Sequence, residues 1–409
     1  MPSPLPRAPM RAPRRARAAA TLLVLLVAAL LTGPPPSAHA AVSLTPVTGF
    51  GSNPGQLSMY VHRPAPLPAS PPVVVALHGC TQSAQVYADN SGLPELAARA
   101  GFLLVLAEQR SSNNLNKCFN WFQAPDSRRD QGEAASIRQM VAHAVSSYGA
   151  DPRRVYVTGL SAGGAMASVM LAAYPDVFAA GAVVAGLPYD CARDTTAAYA
   201  CMNPGVDLTP AQWAQRVRDA YPAWRGPWPR VAVWHGDRDT TVVPRNADEL
   251  RDQWTAVHGL SQTPTRTSVI GPNSTRHEEY AAADGSVAVE VNRVPGIGHG
   301  TPVDPGSGPR QCGSTSAAYF IDSICSSHWI AAFFGLTDAD GDTPGDPGGA
   351  SCWTSSNYEH VRAGRATATG GYAYARGSQQ NMGLYNTFVT HTLKESPAGY
   401  FTLADGACP

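Results

Sequence analysis

Ser161 stands in Gly159-Leu160-Ser161-Ala162-Gly163, after the strand-like run Val155-Tyr156-Val157-Thr158 and before a stretch of small residues that can open a helix. Glycines on both sides of a serine allow a turn tight enough to lift its hydroxyl above a sheet edge, the setting of a nucleophile elbow. A serine hydroxyl is a weak nucleophile at neutral pH, so the chemistry needs a base, and the base needs an orienting carboxylate. Two acids lie close together in His235-Gly236-Asp237-Arg238-Asp239-Thr240-Thr241-Val242, directly after the apolar run Val231–Trp234. Loops at the carboxyl ends of parallel strands are where such acids sit. Asp239 is the expected orienting group; Asp237 is expected to shape the turn or pair with Arg238, and His235 to hold a hydrogen bond at the strand end. The expected base is His299, in the glycine-rich Pro295-Gly296-Ile297-Gly298-His299-Gly300-Thr301 after the run Val287–Val294. His277 precedes that run, His328 lies in an apolar segment of helical pattern, and His360 and His391 fall far beyond it. A tetrahedral intermediate also needs donors for its oxyanion. Those expected are the backbone N–H groups of Ala162 and of Cys80, in His78-Gly79-Cys80-Thr81-Gln82 after Val73–Leu77. On this reading the Cys80 sulfur is structural and His78 braces the loop.

These groups can meet only if a sheet presents them along one edge. Val73–Leu77, Phe102–Ala107, Val155–Thr158, Ala182–Ala185, Val231–Trp234 and Val287–Val294 are apolar runs of strand length. Helical patterns separate them: Ile137, Val141, Ala144 and Tyr148 recur at helical spacing within 130–148, and a second helix is expected from Ser161 to Ala173, with Pro175 beyond its end. Alternating strands and helices imply an α/β fold, a mostly parallel sheet with helices on both faces.

The first 40 residues read differently. Five arginines from Arg7 to Arg17 precede the apolar run Ala18–Leu31, and Ala38-His39-Ala40 has the form of a cleavage site. This is the pattern of a secretory signal peptide, so the expected mature chain begins near Ala41 and is extracellular. Without those arginines the balance is 25 basic to 30 acidic side chains, which argues against nucleic-acid or anionic-membrane partners. Eight cysteines in a secreted chain point to disulfides. Of the 105 pairings that eight cysteines allow, proximity favours Cys80–Cys118, Cys191–Cys201, Cys312–Cys325 and Cys352–Cys408. No CxxC or HxxxH spacing suggests a metal site, and no cofactor motif is present. Residues 337–350 are almost free of apolar side chains and read as a linker; Asp338, Asp340 and Asp342 lack the glycine offset and closing Glu of a calcium loop. Residues 351–409 are expected to form a small C-terminal module stapled by its end cysteines. The organisation expected is 1–40 leader, 41–336 main domain, 337–350 linker and 351–409 module.

Leu77-His78-Gly79-Cys80-Thr81-Gln82, Cys118-Phe119-Asn120-Trp121-Phe122, the Ser161 segment through Met166, Asp239-Thr240-Thr241-Val242 and His299-Gly300-Thr301-Pro302-Val303-Asp304 together resemble the extracellular polyhydroxybutyrate depolymerases. Acetylxylan and feruloyl esterases are the wider relatives. The resemblance covers roughly residues 45–336, with the Cys80 loop before Ser161 as in type I catalytic domains. It implies an α/β-hydrolase fold and a metal-free serine-esterase mechanism, with Ser161, Asp239 and His299 as triad, Cys80 and Ala162 as oxyanion donors and Trp121 beside the substrate. Asn357-Tyr358-Glu359-His360-Val361-Arg362-Ala363-Gly364-Arg365-Ala366 resembles a module appended to some secreted bacterial esterases. The expected function is hydrolysis of short-chain polyhydroxyalkanoate esters; acetyl or feruloyl esters of xylan are the alternative.

Overall fold

The structure is a computed structural model and describes Met1, Ser3, Pro4 and residues 41–337, 351–395 and 401–405. The expected leader, most of the linker and Cys408 lie outside the described residues.

The first half of the main domain runs β1 (Thr45–Val47), β2 (Ser58–His62), β3 (Val73–Leu77), α1 (Ala84–Ser91), α2 (Leu93–Ala100), β4 (Leu103–Glu108), α3 (Ala124–Ser127), α4 (Gly132–Tyr148), β5 (Val155–Leu160) and α5 (Ala162–Ala173). Then follow β6 (Ala180–Val184), α6 (Thr195–Met202), α7 (Pro210–Ala220), β7 (Arg230–Gly236), α8 (Arg245–Val257), β8 (Arg266–Ile270), β9 (Thr275–Ala281), β10 (Val287–Val294), β11 (Thr301–Val303), β12 (Phe320–Asp322) and α9 (Ser326–Phe334). Ten strands form one sheet in the order β1-β2-β4-β3-β5-β6-β7-β10-β9-β8. The six central strands from β4 to β10 pair in parallel, and antiparallel strands finish both edges.

The alternation of side chains along β3 explains the layers. Val73, Val75 and Leu77 join a core shared with Ile137 and Met140 of α4, Met166 and Met170 of α5, and Trp213 and Trp254. Val74 and Ala76 point the other way, into a core shared with Leu96 of α2, Trp234, and Ile330 and Phe334 of α9. A strand buried on both faces reads as a continuous apolar run, which is why Val73–Leu77 was visible in the sequence. The helix at 130–148 begins two residues later than the spacing suggests, at Gly132, and stops where Gly149 turns left-handed at φ 68°. The chain leaves β3 for β4 on one side and later returns as β5 on the other. This reversal opens a crevice beyond the carboxyl ends of β3 and β5, the ordinary ligand position of such sheets.

The tail has its own core. Strands β13 (Ser351–Ser356), β14 (Ala366–Thr369), β15 (Tyr372–Ala375), β16 (Asn381–Leu384), β17 (Thr390–Glu395) and β18 (Phe401–Leu403), with α10 (Asn357–Arg362), form two three-stranded sheets. Ala373, Ala375, Met382, Leu393 and Phe401 are buried between them, with Trp353 packed against Phe401. His360 is fully buried, bonded to the His391 carbonyl at 2.9 Å and to Arg365 at 3.1 Å. Tyr358, Tyr372, Leu384, Tyr385 and Phe388 remain exposed. Cys80–Cys118, Cys191–Cys201 and Cys312–Cys325 are disulfides; the fourth expected pair lies outside the described residues through Cys408. Among the described residues no helix is long and apolar enough to cross a membrane.

Candidate active site

Ser161 sits between β5 and α5 with φ 57° and ψ −117°, a conformation that costs a non-glycine residue on the order of 1–3 kcal/mol and persists only where surroundings enforce it. Backbone crowding enforces it here. A Cβ on Gly159 would stand 2.5 Å from the Gly163 carbonyl, and one on Gly163 would stand 2.2 Å from the Leu77 carbonyl oxygen. Both positions therefore need glycine, and the Ser161 N–H donates to the Val184 carbonyl at 2.9 Å, tying the turn to β6.

The Ser161 hydroxyl donates to Nε2 of His299 at 2.9 Å, and His299 Nδ1 donates to Asp239 Oδ2 at 2.7 Å. Asp239 is buried, and its other oxygen accepts the N–H groups of Thr241 and Val242, each at 2.9 Å. Those two bonds fix the carboxylate plane against the imidazole. Asp237 is exposed and turned away: it accepts the Gly296 N–H at 2.7 Å and anchors the start of the His299 loop rather than pairing with Arg238. His235 is buried below Asp239, its Nε2 donating to the Val242 carbonyl at 2.7 Å, and burial lowers its basicity. Of the other histidines, His277 bonds Asn292 on β10 and His328 is buried in α9.

The loop after β3 is braced by His78. Its Nδ1 donates to the Gly79 carbonyl at 2.7 Å and its Nε2 accepts the Gln109 N–H at 3.1 Å, an arrangement for the neutral ring. Burial pushes its pKa down to about 4, so it stays neutral at working pH. Ala162 opens α5, where backbone N–H groups lack helical partners, and both Cys80 and Ala162 line the crevice with Ser161. The Cys80–Cys118 disulfide joins this loop to the segment carrying Trp121.

The crevice has a volume of about 510 Å³ and a mostly apolar lining. Trp121 and Phe122 form one part of it, Leu187, Ala198, Tyr199 and Met202 another, and Tyr319 a third, its ring edge-on to His299 with centroids 6.0 Å apart. Trp121 is buried yet reaches the crevice. The α6 contribution was missed by sequence reasoning; the signal was the Cys191–Cys201 bracket in the excursion after β6. The excursion is also tied to the acid loop, since Val243 N–H donates to the Met202 carbonyl and Asn203 to the Thr240 carbonyl. Tyr319 left no sequence signal. Glu133 was missed as well. It is buried at the start of α4 and accepts Gln109 Nε2 at 2.5 Å and the Asn120 N–H and side-chain amide, each at 2.8 Å. Burial, with Asp126 nearby, pushes its pKa up to about 8 against those donors. Glu133 thereby supports the residue preceding Trp121.

A parallel α/β sheet with a Ser–His–Asp line above its strand ends and an apolar crevice beside it defines a hydrolase of carboxylic esters. The chain belongs to the esterase PHB depolymerase family, whose profile matches residues 56–278. It is similar to poly(3-hydroxyalkanoate) depolymerase C of Paucimonas lemoignei, 49% identical over 301 residues that span 73% of this chain and 72% of that one. An acetylxylan esterase of Coprinopsis cinerea is 37% identical over 276 residues, 66% of this chain and 72% of that one. Among solved structures, an acetyl xylan esterase from Aspergillus awamori matches at 32% identity with a TM-score of 0.58, covering 63% of this chain and 94% of that one.

Proposed function

We propose that the chain is a secreted serine esterase that cleaves the ester bonds of poly(3-hydroxybutyrate)-type polyesters through an acyl-enzyme. The observation that carries this reading is the unbroken line from Asp239 through His299 to Ser161, opening on a wide apolar crevice. Ser161 Oγ attacks the ester carbonyl carbon while His299 Nε2 takes its proton. The carbonyl oxygen becomes an oxyanion held by the N–H groups of Cys80 and Ala162. Collapse breaks the ester bond, and His299 returns the proton to the departing alkoxide. Water then attacks the acyl-enzyme, with His299 as base, and releases a hydroxyacid oligomer. Asp239 keeps the imidazole in the tautomer that accepts at Nε2 and stabilises the imidazolium. Trp121 serves as a substrate-facing wall.

The 49% identical depolymerase supports the polyester substrate. Three disulfides and the leader-like first 40 residues support secretion. Residues 41–336 would be the catalytic domain, 337–350 the linker and 351–409 an anchoring module whose exposed Tyr358, Tyr372, Leu384, Tyr385 and Phe388 offer an apolar face to an insoluble chain. The second reading, acetyl or feruloyl ester cleavage on xylan, draws on the acetylxylan esterase relatives. Clearing of a polyester suspension, measured beside acetate and ferulate release from xylan by the same preparation, tests the choice. Clearing with negligible xylan-ester release supports the first reading, and the opposite pattern replaces it with the second.

A further inference from the structure

A second cavity, of about 400 Å³, shares no lining residue with the Ser161 crevice, yet the same two segments border both. Trp121, Phe122 and Gln123 face the crevice, and Ala124 to Gln131 continue into the second cavity. Leu187 faces the crevice, and Tyr189 to Arg193 continue likewise.

The lining is strongly charged and incompletely paired. Four arginines, at 128, 129, 193 and 216, meet two aspartates, Asp190 and Asp219. Arg129 is engaged by Asp176 with bonds of 2.7 and 2.9 Å, and Arg193 by Asp190 with bonds of 2.9 and 2.7 Å. The other two arginines have no ion-pair partner among the described residues. Arg128 is exposed at the rim. Arg216 is half-buried over the Trp213 ring, and its one polar contact is the Asp190 backbone carbonyl. Most of its five N–H donors are therefore unused. Burial lowers its pKa, and the nearby Asp190 charge only partly offsets this.

Tyr189 adds a neutral polar group, its hydroxyl, to the lining. Tyr189 as a whole is 8% exposed, and it lines the cavity. That hydroxyl feels the charges of Asp190, Arg128, Arg193 and Asp219, which locates it among the cavity's charged groups. The hydroxyl is open to the cavity and can both donate to and accept from a bound molecule. Asp219 uses one oxygen to accept from Gln215 at 2.7 Å, leaving the other available. The cavity thus presents unpaired cationic donors beside a hydroxyl and a free carboxylate oxygen. A plain anion would satisfy the first set alone. A molecule bearing both a carboxylate and a hydroxyl would satisfy both.

We propose that this cavity is a binding site for a small hydroxycarboxylate, its carboxylate held by Arg128 and Arg216 and its hydroxyl shared between Tyr189 and Asp219. The choice of a 3-hydroxyacid rests on the polyester reading, because polyester hydrolysis releases that class of molecule. The bordering segments give bound product a route to the Trp121 and Leu187 walls, so product inhibition is expected to be mixed rather than purely competitive.

The test uses the full mature chain with Ser161 blocked by a serine-directed phosphonate, which removes binding at the reacting centre. Calorimetric titration with 3-hydroxybutyrate is expected to show saturable binding, weaker by about tenfold or more in R216Q and in R128Q. Arg128 is exposed, so R128Q keeps the test decisive should R216Q fail to fold. Butyrate, which lacks the hydroxyl, is expected to bind more weakly than 3-hydroxybutyrate. No saturable binding, or binding untouched by R128Q, overturns the site. Equal binding of butyrate or of inorganic phosphate overturns the hydroxycarboxylate assignment. Polymer clearing by the unblocked enzyme is measured in parallel: loss of clearing with binding intact refutes the polyester reading alone, and clearing without binding refutes the site alone.

Discussion

Replacing Asp239 by asparagine is predicted to disable the enzyme through its hydrogen-bond pattern rather than through lost charge alone. In the native site one Asp239 oxygen accepts two backbone N–H groups, from Thr241 and Val242, and the other accepts His299 Nδ1–H. Asparagine has one oxygen and one NH₂. If the oxygen keeps the two backbone donors, the NH₂ faces His299 Nδ1 and donates to it. The imidazole proton must then sit on Nε2, pointing at the Ser161 hydroxyl, and His299 can no longer accept the serine proton. If the amide reverses, the tautomer is restored, but the NH₂ now opposes two N–H groups, of which that of Val242 is buried. Orphaning the buried Val242 N–H costs about 1–3 kcal/mol, so the active orientation lies at least that far above the inactive one. Loss of the carboxylate's stabilisation of imidazolium adds to this. The expected result is a fall in kcat of about 10³–10⁴-fold with KM little changed. The assay is steady-state turnover of a soluble p-nitrophenyl ester at neutral pH, with Asp237→Asn beside it. Asp237→Asn retains an oxygen for the Gly296 N–H and should keep most activity. Asp239→Asn retaining more than about a tenth of kcat would refute the tautomer argument. So would equal losses in the two variants.

Ser161→Ala should lower soluble-ester turnover by about 10⁴-fold or more while leaving the melting temperature near that of wild type, and a similar loss of both would assign Ser161 a structural role. Thiol alkylation of the native protein should leave activity intact, because peptide mapping should find Cys80 joined to Cys118; inactivation by alkylation would show a free thiol at the site. Glu133 should make stability fall as pH rises. Folded protein holds that proton up to about 8, whereas the unfolded chain releases it near 4.5, so between these values the folded state binds more protons and rising pH favours unfolding. The effect amounts to about 5 kcal/mol at most, and melting curves of wild type against Glu133→Gln should diverge across that window; parallel curves would mean that Glu133 does not titrate there. Truncation after Gly335 should spare soluble-ester turnover and reduce adsorption to polyester film, since tethering raises the local concentration of catalytic domain; unchanged adsorption would remove the anchoring role.

Legibility in the sequence followed the range of the forces involved. Val73–Leu77 could be read because both faces of the strand are buried, which writes a local apolar run. The Ser161 turn could be read because its determinants, Gly159 and Gly163, are neighbours in the chain. The hairpin of β8 and β9 could not: Arg266-Thr267-Ser268-Val269-Ile270 and Thr275-Arg276-His277-Glu278-Glu279-Tyr280-Ala281 lie at the sheet's edge and carry mostly polar side chains. The strand after α5 starts at Ala180, two residues before the apolar signal, because alanine and glycine carry little of it. Asp237 and Asp239 differ in sequence by almost nothing; what separates them is the Gly296 N–H, which approaches only after β7 and β10 have paired. Gln109, Asn120 and Glu133 look like surface residues along the chain, and only tertiary contact brings them into one buried cluster.

The crowding around Ser161 also limits where the enzyme can change. Gly159 and Gly163 are hemmed in by backbone atoms, and backbone cannot retreat as a side chain can. Gly164 adds a third such position, where a Cβ would stand 2.9 Å from the carbonyl oxygens of Gly159 and Val184. The elbow is therefore a fixed reference point that tolerates no gradual remodelling. Freedom to adapt lies instead in the excursion after β6, where the short helix of Tyr199 and Met202 is held by one disulfide and a few hydrogen bonds and faces the crevice with side chains. A laboratory seeking a different ester preference would leave the turn alone and vary that helix.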